Sequence, residues 1–151
     1  MKPQKTWIVI ADGERARVLE CSGVGEPFVP VTRETLHDDN PPTHLQGTER
    51  PGRVHESVGT TRHAIQPRVD FHRAQKAEFA HTIAQMLEDA AQTHVYQRLV
   101  LVAPPRMMGD LRAALGTHAR ALVADELSHD LTHFSDKEIE ARVRQDTSLR
   151  L

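Results

Sequence analysis

From Arg50 to Arg73 the chain carries five arginines against two acidic residues, Glu56 and Asp70, with His55, His63 and His72 interspersed. A guanidinium offers a planar fork of donors that matches phosphate and carboxylate oxygens. Arg50, Arg53, Arg62, His63 and Arg68 are therefore candidates to converge on an anion, such as an RNA phosphate or a small phosphorylated ligand. Gly52 and Gly59 would let backbone N–H groups join them in an anion nest. The plainer alternative is a solvated loop whose charges pair with Asp38, Asp39, Glu49, Glu56 and Asp70. The local excess of Arg favours the anion site.

Other chemistry is thinner. Asp12 ends an apolar run, and with Glu78 as a candidate companion it could serve a two-metal hydrolytic site. Asp12-Gly13 is also a plain turn dipeptide, and several convergent carboxylates are needed to hold two Mg²⁺ ions. His129-Asp130-x-x-His133 has the i, i+4 spacing of a helical metal pair, but Ser135 starts a helix only after it, so these histidines are expected to be structural. Pro104-Pro105-Arg106 resembles a strand-to-helix phosphate turn with Arg106 near the helix start, without the glycines of a nucleotide loop. Its alternative is a rigid strand exit. The single cysteine, Cys21, excludes an internal disulfide framework and is expected to be buried and inert. No catalytic residue, resident metal or cofactor is expected.

Charge and composition narrow the classes further. A net charge of −2 gives no bulk reason for tight nucleic-acid or membrane binding, so any such binding needs a local patch. At 4% aromatic content, base-stacking platforms are few, and sequence-specific single-strand recognition is not expected. The N-terminal apolar run, Trp7 to Ala11, is too short for a signal peptide or membrane span, which points to a cytoplasmic protein.

The elements that must position these residues fall in one domain over 1–151. Trp7–Ala11 reads as a buried strand, Ala16–Glu20 as its hairpin partner and Phe28–Leu36 as a third strand. Pro30 cannot donate to a ladder and marks an edge. The polar segment 37–72 follows as a long loop. A helix over about 73–93 takes its apolar face from Phe79, Ile83, Met86, Leu87 and Ala90, with Asp70 as a possible N-cap. Arg98–Ala103 is β-branched and apolar throughout, as a central strand covered on both faces should be. A short helix with Met108, Leu111, Ala114 and Leu115 follows and stops at Gly116. Leu122–Ala124 begins a fifth strand, and Ser135 with Glu138 forms a capping box for the last helix. The tail from about Asp146 is expected to fray. The order β-β-β-α-β-α-β-α predicts an α/β fold, a mixed five-stranded sheet flanked by helices.

Several words of the chain, in order over about residues 6–145, resemble the bacterial host attachment proteins. They are W-x-x-x-A-D-G-x-R-A-R from Trp7 to Arg17, R-P-G-R from Arg50 to Arg53, G-T-T-R-H-A from Gly59 to Ala64, L-V-L-V-A-P-P-R from Leu99 to Arg106 and D-L-T-H from Asp130 to His133. That family is similar to the middle domain of archaeal and eukaryotic release factors and to their ribosome-rescue relatives. The resemblance implies a ribonuclease-H-like fold, and a functional loop just before the long helix. Release factors carry Gly-Gly-Gln there. Here Gln66 stands near that position but follows Ala64-Ile65 and precedes Pro67. The glycines serve backbone angles that a β-branched residue cannot reach, so peptidyl-tRNA hydrolysis is not expected. The expectation is a non-enzymatic, translation-associated module that binds ribosome or RNA through Arg50, Arg53, Arg62, His63, Gln66 and Arg68, with Arg106 nearby. A protein-interaction factor that supports attachment indirectly and a metal-dependent nuclease are the alternatives.

Overall fold

The computed structural model describes residues 4–31, 36–37 and 65–151. Among them are six strands and four helices: β1 (Thr6–Ala11), β2 (Arg15–Cys21), β3 (Phe28–Pro30), β4 (Leu36–His37), α1 (Ile65–Gln92), β5 (Arg98–Val102), α2 (Pro105–Ala114), α3 (Thr117–Leu122), β6 (Val123–Leu127) and α4 (Asp136–Asp146).

The sheet runs β3-β2-β1-β5-β6. β1 and β2 form the expected antiparallel hairpin, with Thr6 opposite Cys21 and Ala11 opposite Ala16. β5 lies parallel to β1, and β6 parallel to β5. β4 pairs with Arg15 and Ala16, while β3 pairs with Leu19 to Cys21, so both occupy the same outer side of β2. The expected third strand over 28–36 is thus two pieces in one position, and the mixed sheet has five positions. Pro30 sits at the edge, where its missing donor costs no ladder bond.

Both faces of the sheet are covered, which is why β1 and β5 are apolar without alternation. Trp7, Val9, Ala11, Leu99 and Leu101 pack against α1, α2 and α3 through Phe79, Ile83, Leu87, Met108, Leu111 and Ala119. Ile8, Ile10, Val100 and Val102 face the other side and meet Ile139 and Val143 of α4. Tyr96 joins the first face. Its ring stacks on Trp7 at 4.7 Å between centroids, and its hydroxyl donates to the Leu87 carbonyl at 2.8 Å. Cys21 is buried at the end of β2, as expected.

Four boundaries depart from the sequence reading. Helix α1 begins at Ile65, not near 73, so the end of the polar segment 37–72 is helical and Asp70 lies inside the helix rather than at its cap. Pro67 falls in the first turn, where an N–H would have no intrahelical partner anyway. Gly116 follows α2 but serves as the N-cap of a further short helix, α3, and β6 then runs to Leu127. The tail does not fray. Thr147 Oγ1 and the Ser148 N–H donate to Asp125 at 2.6 and 3.1 Å, and Leu151 is buried in the α4-side core. The Ser135–Glu138 capping box stands as read.

Candidate functional site

Because β1, β5 and β6 are parallel, their carboxyl ends share one rim, the place where open α/β sheets receive ligands. Asp12 leaves β1 there. Its backbone N–H donates to the Arg15 carbonyl at 2.9 Å, and its Oδ1 accepts from the N–H groups of Glu14 and Arg15 at 2.7 and 2.8 Å. This closes the hairpin in the way an Asp-Gly turn demands. A Cβ on Gly13 would lie 2.9 Å from Lys76 Cδ, so a larger residue there would have to displace the Lys76 side chain of α1. Partial burial pushes the Asp12 carboxyl up. The two backbone donors, the Thr132 hydroxyl and the Arg15 charge outweigh this and hold it below the usual carboxylate range.

The second half of the rim comes from the turn after β6. Thr132, itself buried, places its Oγ1 2.8 Å from Asp12 Oδ2 and 2.7 Å from Asp130 Oδ1. Arg17 of β2 fixes this turn from beneath. Its Nη2 donates to the carbonyls of Thr132 and Phe134 at 2.9 and 2.6 Å, and its Nη1 to Asp136 Oδ1 at 2.8 Å. The outcome is a cluster of Asp12, Asp130 and His133 whose donor atoms lie within 4.8 Å of one another. These are the residues that could hold a metal ion. The sequence alone suggests Glu78 as the companion of Asp12 and shows no third ligand for the histidines. Glu78 is exposed on α1, outside this cluster, and the third donor beside His133 is Asp12. His129 points elsewhere, 3.4 Å from Asp146 of α4.

α1 and α2 complete the rim. Arg73 meets Asp110 of α2 through two bonds, 3.0 and 2.9 Å long. Beyond Arg73 the helix continues for eight more residues toward Ile65, about 12 Å at 1.5 Å per residue. Phe71 in this stretch is 53% exposed. Arg106, the second residue of α2, is exposed at the same rim, and Pro104 and Pro105 form the rigid strand exit. Gln66 and Arg68 lie in the first turn of α1. Arg50, Arg53, Arg62 and His63 lie outside the described residues.

A second buried carboxylate is structural. Glu88 of α1 is only 8% exposed. It accepts from the Ala119 N–H at 2.9 Å, from Gln92 at 3.0 Å and lies 2.7 Å from His118 Nδ1, so it caps α3 from another element. The Ala119 bond leads the causes that hold its carboxyl down at about 2. Nothing in local sequence marks Glu88 as a cap, because the α3 groups it caps, His118 and Ala119, lie 30 and 31 residues downstream.

Comparison with protein families matches residues 7–143 to the family described as "Protein required for attachment to host cells". No curated protein matches. Among solved structures, one described as an archaeal protein is 13% identical with a TM-score of 0.46, over 94% of this chain and 36% of that one. The crystal structure of an archaeal translation termination factor is 9% identical with a TM-score of 0.49, over 94% of this chain and 37% of that one. The chain thus spans little more than a third of the length of either.

Proposed function

The chain belongs to the family of proteins required for attachment to host cells, and from that premise we propose that it is a non-enzymatic, release-factor-like module that binds RNA. The binding element is the Arg/His segment that leads into α1, with Arg50, Arg53, Arg62, His63 and Arg68 contacting phosphates and Arg106 supporting them from the rim. The platform is the mixed sheet, read as ribonuclease-H-like, and its RNA partner is ribosomal or transfer RNA. The supporting observation is the extent of α1 on the N-terminal side of Arg73. The helix runs about 12 Å past its tie to α2, and the cationic segment leads into it in sequence. Gln66 is inside that helix, at its second residue and before Pro67. This accords with a role in binding rather than hydrolysis.

The test is co-sedimentation with ribosomes and with total RNA at two salt concentrations, comparing wild type with the Arg53→Ala, Arg62→Ala, His63→Ala triple variant. Phosphate contacts release counterions, so binding should fall steeply with salt and the triple variant should lose it. Absence of binding by wild type would sink the RNA reading and turn the search to a protein partner.

A further inference from the structure

We propose that Asp12, Asp130 and His133 bind one divalent transition ion, of the Mn²⁺ or Zn²⁺ class, at the carboxyl rim of the sheet. The proposal does not depend on RNA binding. The three donor atoms come from the ends of β1 and of β6, more than a hundred residues apart, and converge within 4.8 Å. Donors at about 2.0–2.2 Å from an ion in a tetrahedral set lie about 3.3–3.6 Å apart, so the three side chains close around the ion by up to about 1.5 Å to complete the site. The donor set is mixed. Ca²⁺ and Mg²⁺ take oxygen ligands, whereas an imidazole beside two carboxylates suits Zn²⁺ or Mn²⁺.

Two further features favour an ion over a bare polar cluster. The His133 ring has no hydrogen-bond partner among the described residues and is exposed, while His129 in the same segment is drawn to Asp146. One imidazole is thus committed to α4 and the other left beside the two carboxylates. The Thr132 hydroxyl, buried and within 2.8 Å of both carboxylates, has a single proton and can donate to only one of them. The Thr132 N–H also donates to Asp130 Oδ1 at 3.2 Å, and the Glu14 and Arg15 N–H groups donate to Asp12 Oδ1, so both carboxylates are held in place whichever one the hydroxyl serves, with lone pairs to spare for a cation between them. Arg17 holds the Thr132 and Phe134 carbonyls and so fixes the turn that carries both Asp130 and His133, which makes it a positioning residue for the site. Three protein donors leave positions on the ion for water or for an oxygen of a bound anion.

The experiment uses the full, tag-free chain. Mn²⁺ binding is read by loss of the free-ion paramagnetic resonance signal, and Zn²⁺ binding by calorimetry. Wild type should bind one ion, and Asp130→Asn and His133→Ala should each weaken it at least about tenfold. His129→Ala should bind as wild type does. Asp12 also closes the hairpin, so its substitution is not the primary variant, and circular dichroism confirms that the others fold. Failure of wild type to bind either ion, wild-type affinity in both site variants, or an equal loss in His129→Ala would each overturn the proposal.

Discussion

Replacing Arg17 by Met keeps the aliphatic stem and removes the charged fork. In the fold, that fork donates to the Thr132 and Phe134 carbonyls and to Asp136, from a side chain 20% exposed. The ion pair with Asp136, whose side chain is 40% exposed, is worth no more than about 1 kcal/mol. The bond to Thr132 is the larger part, because a charged donor to a partly buried carbonyl contributes about 1.5–3 kcal/mol. The Phe134 carbonyl is open to water and adds little. The expected loss is therefore about 2–3 kcal/mol, which for a chain of this size lowers Tm by roughly 5–10 °C. Arg17→Lys should fall between the two, since one ammonium cannot span both carbonyls and the carboxylate. Thermal and urea unfolding followed by circular dichroism measure this. A loss in Arg17→Met below about 0.5 kcal/mol, the range of ordinary surface changes, would refute the view that Arg17 holds the Asp130–His133 turn.

Gly109 lies within α2, and a Cβ at this position would meet nothing within 4 Å, so Gly109→Ala should stabilise by about 0.5–1 kcal/mol in urea unfolding. Gly116→Ala should do the reverse, by about 1–3 kcal/mol, because its Cβ would fall 2.6 Å from the Glu88 carboxylate. The Glu88 carboxyl is held at about 2 against an ordinary 4.5, so its contribution is complete above about pH 4.5 and is lost as pH falls from there toward 2. Urea midpoints across that window should drop less steeply in Glu88→Gln than in wild type. Asp125→Ala removes the acceptor for Thr147 and Ser148, and limited carboxypeptidase digestion should then trim the tail faster than in wild type, with no change expected if the tail is held by Leu151 alone.

The elements legible in the sequence are those whose signal is local. Trp7–Ala11 and Arg98–Ala103 announce buried strands because both of their faces are covered, and Ser135–Glu138 announces a helix because both capping partners lie within one turn. What escaped is held by partners far along the chain. Six residues are too few for α3 to show a helical period, and its cap, Glu88, sits on another helix. The tail is pinned by Asp125, two elements upstream. The start of α1 lies in the polar segment read as a loop, and Pro67 is accommodated there because the first helical turn is where proline is tolerated. The rim cluster was half visible. Asp12 and His133 each stood out, but their meeting depends on β5 lying between β1 and β6, a fact of topology that neither segment encodes alone.

The sheet divides the interior into two unequal stores of apolar surface. Among the described residues, twenty buried side chains lie on the α1–α3 side and twelve on the α4 side. Regions with fewer buried contacts open at lower free energy, as separate cooperative units. Asp12 is rooted in β1, which borders both stores, whereas Asp130 and His133 precede α4, which draws on the smaller one. Sub-global opening of the α4 layer would therefore dismantle the rim cluster while the hairpin and long helix stay folded. Native-state hydrogen exchange would register this as α4 amides exchanging through a lower-energy opening than those of β1. An ion that bridges the two halves would tie the weaker layer to the stronger.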